Sequence, residues 1–79
     1  MTLWELHKGG TANISHLCEH LDDSVSTRLV EMGFETDQYI KCLRRSIFSG
    51  PLVIQIGDCV YSLEQALAEQ IFISTSNNN

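Results

Sequence analysis

The chain has 79 residues, 43% of them apolar and 8% aromatic, with ten acidic side chains against five basic ones and a formal net charge of −5. That length holds one domain with a thin core, which leaves no depth for a drug-sized pocket of roughly 300–1,000 Å³ and favours a binding or regulatory module over an enzyme. The acid surplus argues against a duplex-binding surface, which needs Lys and Arg to neutralise phosphates.

Thr2 is placed to cap one turn through Leu3, Trp4, Glu5 and Leu6, which Gly9-Gly10 ends. Thr11 to Leu17 reads as a strand with Ala12 and Ile14 on one face. Leu17 breaks the alternation, which predicts a bulge or a strand end. Cys18 to Asp22 is a polar loop. Asp23 or Ser24 then caps a helix in which Val25, Leu29 and Met32 recur at the i, i+4, i+7 spacing of a buried stripe. Gly33 suits the left-handed position that ends a helix, and Phe34 follows as a buried aromatic.

Glu35 to Gln38 is a turn bent at Asp37. Tyr39 to Arg45 is a strand with Ile40 and Cys42 pointing one way and Lys41 the other. Ile47 to Gly50 forms a loop, and Pro51 to Ile56 is the clearest strand, with Leu52, Ile54 and Ile56 on one face. Gly57-Asp58 is a two-residue hairpin connection, across which Cys59 to Tyr61 pairs back. Ser62 caps a second short helical segment with Leu63, Leu67 and Ala68 on one side, and Ile71 to Ile73 is a last strand. Residues 74–79 are polar and featureless and are expected to be a disordered tail beyond a single domain over 1–73. The fold class is therefore mainly β. It is a small SH3-like barrel of about five strands, with one helix inserted after the first strand and a helical turn before the last.

No apolar run approaches the ~20 residues of a membrane helix, and Met1 to Gly10 lacks the charged and apolar regions of a signal peptide. Cys18, Cys42 and Cys59 are odd in number and share no CxxC spacing, so reduced thiols and a cytoplasmic location are expected.

The order of these features resembles the FeoA family, small cytosolic partners of the bacterial FeoB ferrous-iron permease. The residues that carry it are Leu3-x-x-Leu6, Gly10, Ile14, Leu17 and the helix end Arg28-Leu29-Val30-Glu31-Met32-Gly33-Phe34. Ile40, Cys42 and Arg44-Arg45 follow, then Gly50-Pro51-Leu52-x-Ile54-x-Ile56, Tyr61-Ser62-Leu63, Ala66-Leu67-Ala68 and Ile71-x-Ile73. Where the family usually has a glycine after the helix, this chain has Asp37, and where it often has a proline, this chain has Ile47. The resemblance implies a non-catalytic protein without a cofactor that assists ferrous iron uptake. Its implied partner is the cytoplasmic GTP-binding part of a FeoB-type permease or an adjacent loop, so that it meets the membrane only through that partner. A rival resemblance is the SH3-like domain at the end of iron-dependent repressors, a metal-responsive regulatory module. That domain trails a DNA-binding helix-turn-helix, and none is expected ahead of Met1 here. A peptide-binding adaptor is the third reading, although the chain supplies few aromatics for a Pro-rich groove.

His16, Cys18 and His20 would share one face of an extended strand, a donor set that suits zinc or a late transition metal. The segment runs into a loop and a fourth ligand is missing, so no metal site is expected. Ser15 and His16 are neighbours on a strand and should point apart, and Cys42 and Cys59 read as inert core thiols. Ile47 and Phe48 lie beside the only basic cluster, Lys41, Arg44 and Arg45. Either they close one end of the barrel, which is slightly favoured, or they stand exposed as a docking element with Arg44 and Arg45.

Overall fold

The structure, a computed structural model, describes residues 1–46, 48 and 50–75. Five antiparallel strands form one sheet: β1 (Thr11–Leu17), β2 (Tyr39–Arg44), β3 (Leu52–Ile56), β4 (Cys59–Leu63) and β5 (Ile71–Ser74). Their order is β4-β3-β2-β1-β5. Helix α1 (Asp23–Glu31) lies between β1 and β2, and a single helical turn, α2 (Gln65–Ala68), lies between β4 and β5. The expected mainly β architecture, with its inserted helix and late helical turn, is present.

β3 shows how the pattern builds the core. Leu52, Ile54 and Ile56 are buried while Val53 and Gln55 between them are half-exposed, as a period of two requires. Ala12, Ile14, Ile40, Cys42, Leu63, Ile71 and Ile73 from the other strands join the same cluster. Leu3 and Leu6 from the N-terminal 3-10 turn fill it further, as do Leu29 from α1, Ala68 from α2 and the Phe34 ring. Of the expected core, Val25, Met32 and Leu67 are half-buried against this cluster rather than inside it.

Two bulges interrupt the ladder. One lies in β1, where the register against β5 shifts between Ile14 and His16. The other lies in β2, where the register against β3 shifts between Cys42 and Arg44. An inserted residue inverts the facing of every side chain beyond it.

The end of α1 is fixed by backbone geometry. The Gly33 N–H donates to the Val30 carbonyl at 3.0 Å and the Phe34 N–H to the Leu29 carbonyl at 2.9 Å. These are the two crossed bonds of a Schellman motif, and Gly33 supplies its left-handed residue at φ 108. Phe34 and Leu29, both buried, are the apolar pair that accompanies it. The following turn also needs a left-handed residue, and Asp37 takes it at φ 69. Aspartate accepts that region better than most side chains.

Tyr61 of β4 ties α1 to the sheet. Its hydroxyl donates to the Met32 carbonyl at 2.8 Å, and its ring meets Phe34 at 5.7 Å. The bond satisfies a carbonyl that the helix end leaves without a partner in its own ladder. Tyr61→Phe keeps the ring and removes the bond. The expected result is a melting temperature a few degrees lower with an unchanged circular dichroism spectrum, checked by thermal melts.

Several boundaries differ from the sequence reading, among them the start of β3, which is Leu52 and not Pro51. Asp22, not Asp23 or Ser24, is the N-cap of α1, through its carbonyl on the Ser26 amide at 2.9 Å. β2 ends at Arg44, before Arg45. β4 continues through Ser62 to Leu63, because its ladder to β3 runs unbroken as far as Leu52, so Glu64 rather than Ser62 caps α2. β5 includes Ser74, which pairs with Asn13, whereas the expected tail beyond 75 lies outside the described residues. Cys59 is exposed rather than core, because it sits at the hairpin end of an edge strand.

Candidate functional site

The bulge in β2 decides which arginine is free. Strict alternation from Ile40 would turn Arg44 inward and Arg45 outward. The extra residue at Leu43 reverses this: Arg44 is exposed and Arg45 half-buried. The Arg45 guanidinium donates to the carbonyls of Trp4 and Leu6, the latter at 2.8 Å. It also lies over the Trp4 ring, 4.6 Å from its centre. Arg45 therefore clamps the N-terminal turn to the end of β2: Nη1 serves both carbonyls while the flat guanidinium lies over the indole.

Phe48 stands in the β2–β3 loop with 85% of its surface exposed, so it does not close the barrel. Its amide donates to the Ser46 hydroxyl at 3.0 Å, which holds the loop backbone at that point. Arg44 and Phe48 are thus two exposed anchor types at one end of the sheet. Ile47, the other loop residue expected to take part, lies outside the described residues.

His16, Cys18 and His20 do come near one another, by a route different from the expected strand face. β1 ends at Leu17, and Cys18 follows with its amide on the Gln70 carbonyl at 2.8 Å. Together with Glu19 and Phe72 the three residues line a cleft of about 370 Å³ that opens to solvent, so space of the size not expected from so thin a core does occur, at the surface. A second cleft, of about 410 Å³ beside Ile14, Leu17, Val30 and Phe34, shares the His16 wall. The bulge at Ser15 brings His16 opposite Phe72, where the rings stack at 4.7 Å. It also overturns the expectation that Ser15 and His16 point apart, since the Ser15 hydroxyl and His16 Nδ1 are hydrogen-bonded at 3.0 Å. One imidazole nitrogen is therefore engaged. Among the described residues no group of three or more His, Cys, Asp or Glu side chains converges to hold a metal ion.

Two ionisable groups are displaced from their ordinary range. Burial pushes the Cys42 thiol up, opposed by its contact with the Arg44 backbone and by the Arg45 charge. A buried neutral thiol is a packing group and a poor nucleophile. The neighbouring Cys59 side chain, and after it burial, raises the Tyr61 phenol. Sequence reasoning missed Trp4 and Phe72, the partners of Arg45 and His16. Phe72 was legible as the outward residue between Ile71 and Ile73, whereas Trp4 carried no such signal.

The FeoA domain family model matches residues 1–75. The chain belongs to the FeoA family. Among solved structures, FeoA of Stenotrophomonas maltophilia, a prokaryotic SH3 domain protein crystallised with zinc, superposes with a TM-score of 0.82 at 26% identity, over 94% of this chain and 89% of that one. FeoA of Chlorobium tepidum gives a TM-score of 0.88 at 22% identity, over 100% of this chain and 73% of that one. A manganese-dependent transcriptional repressor gives 0.84 at 20% identity, over 96% of this chain and 41% of the repressor. The fold is thus SH3-like and shared with one part of a larger repressor. No curated protein matches the chain. Among the described residues no helix is long and apolar enough to cross a membrane.

Proposed function

We propose that this FeoA-family chain is a non-catalytic accessory of bacterial ferrous iron uptake. It acts in the cytoplasm by docking on the GTP-binding part of a FeoB-type permease through Phe48 and Arg44. The observation that carries the reading is the 85% exposed Phe48 on the loop that follows Arg44. Membership of the FeoA family supports the process. So does the Stenotrophomonas relative, which is described as a candidate ferrous iron transport activating factor. An exposed aromatic supplies buried area to an interface, and a free arginine supplies planar contacts to carboxylates. Arg45 is left out of this docking reading, because its Nη1 is engaged by the Trp4 and Leu6 carbonyls and its guanidinium lies over the Trp4 ring.

The test is calorimetry against the purified cytosolic domain of the permease. Phe48→Ala is expected to weaken binding at least tenfold, with a melting curve that overlays the wild type, because the ring touches little of the barrel. Arg44→Glu is expected to slow association and to flatten its salt dependence. Wild-type affinity in both variants would move the docking face elsewhere, to the outer side of α1 in the first instance.

A further inference from the structure

The two edges of the sheet are treated differently. At the β5 edge the N-terminal segment lies alongside: Thr2 bridges Phe72, and the Ile73 amide donates to the Met1 carbonyl at 2.9 Å. At the β4 edge no other strand of the described residues pairs. Among the described residues, no backbone group of residues 59–63 makes a backbone hydrogen bond outside the β3–β4 ladder.

The alternation of that ladder identifies the free groups. Gly57-Asp58 joins Ile56 to Cys59 as a two-residue turn, with Gly57 at φ 59. In such a turn the flanking pair exchanges both of its hydrogen bonds, and the pairs beyond it alternate. Cys59, Tyr61 and Leu63 therefore bond to β3, and the N–H and C=O of Val60 and Ser62 point outward. Three of the devices that blunt an edge are missing from the strand itself. β4 contains no proline, no lysine and no bulge, its register against β3 is continuous, and Val60 is 55% exposed.

The charges at the ends of β4 select the occupant. Asp58 and Glu64, both exposed, stand at equal distances on either side of Tyr61, and the five residues between them are uncharged. A second copy pairing antiparallel about Tyr61 would set each Asp58 against the other copy's Glu64. Like charges directly opposite are destabilising, and each copy carries a net charge of −5. A strand with Lys or Arg at the two ends of an uncharged stretch meets both carboxylates with opposite charge.

We propose that the β4 edge is a strand-addition site for an extended, basic-flanked peptide segment. The bond-forming groups are the backbone of Val60 and Ser62, and Asp58 and Glu64 set its specificity. The main chain supplies the affinity in this mode of recognition and the flanking side chains supply the selectivity. The site uses none of the residues of the Phe48 reading, so the two readings are tested by different variants.

The probe is a capped synthetic peptide, Lys-Val-Thr-Val-Thr-Val-Lys, titrated into the 15N-labelled protein at low salt. Saturable shifts centred on the Val60 and Ser62 amides are expected, unchanged in Phe48→Ala. Ser62→Pro removes one outward donor without touching the bonds to β3 and should abolish the response. The Asp58→Lys, Glu64→Lys double variant should weaken the peptide at least tenfold and gain affinity for the same peptide with glutamate ends. If Ser62→Pro melts early, the charge-reversed variant decides. Absence of saturable shifts, shifts centred elsewhere, or equal affinity for the two peptides would overturn the proposal. A concentration-dependent dimer with protected Val60 and Ser62 amides would overturn it too, by giving the edge to a second copy.

Discussion

Leu29→Ala is expected to destabilise the fold by roughly 2–5 kcal/mol, the cost of emptying a well-packed leucine site. Leu29 is 1% exposed and is the one fully buried side chain of α1. It is also the residue whose carbonyl receives the Phe34 amide, so its side chain and the aromatic of the Schellman motif share one pocket. The substitution leaves the backbone bond in place and removes only the apolar contact. Domains of this size are stable by about 5–10 kcal/mol, so the loss is a large part of the whole. Urea titration should show a lower midpoint with an unchanged slope, the mark of lost stability without a change in exposed surface. Val30→Ala, one residue along on the exposed side at 42% exposure, should change stability by less than about 0.5 kcal/mol. A Leu29→Ala midpoint equal to that of Val30→Ala would mean that α1 does not pack as described.

Arg45→Ala is expected to cost about 2–3 kcal/mol, more than any other exposed or half-exposed substitution near the loop. It removes two charge-assisted bonds, to the Trp4 and Leu6 carbonyls, together with the stacking on the indole. The N-terminal turn would then be held by Leu3 and Leu6 in the core and by its contacts with β5. Arg45→Lys should recover only part of the loss, since an ammonium keeps the charge and can donate to a carbonyl but lacks the flat face that lies over the indole. Arg44→Ala, on the exposed arginine beside it, should be close to neutral. Chemical denaturation of the three variants, with Trp4 fluorescence as the local probe, separates the roles. Equal effects of Arg44→Ala and Arg45→Ala would remove the clamp.

Much of this was readable in the chain itself. The alternation in Leu52-x-Ile54-x-Ile56, the Gly33-Phe34 helix stop and the Gly57-Asp58 hairpin are local signals, and each is where it was expected. What escaped the sequence traces largely to the bulges. A one-residue insertion in β2 leaves no mark on composition, yet it decides that Arg45 clamps and Arg44 is free. The bulge at Ser15 likewise brings His16 onto Phe72 and beside its own neighbour's hydroxyl. Periodicity assumes an unbroken register, so it fails at the residues whose facing a functional reading most needs. Cys59 escaped for a different reason: inward parity at the hairpin end of an edge strand does not guarantee cover.

The pairing of β1 with β5 also determines how the domain responds to force. The two strands are antiparallel neighbours, and residues 1 and 75 lie at the same end of that seam: Asn13 faces Ser74, and the Met1 carbonyl takes the Ile73 amide. A pull applied between residues 1 and 75 therefore opens that seam like a zipper. The perpendicular hydrogen bonds of an antiparallel pair load one after another rather than together. Forced unfolding is governed by the rate of the first break, and here that break involves only a few bonds at the N-terminal turn and the last residues of β5. A tether through residues 1 and 75 would strip β5 first and leave the β2–β3–β4 meander as the last part to yield.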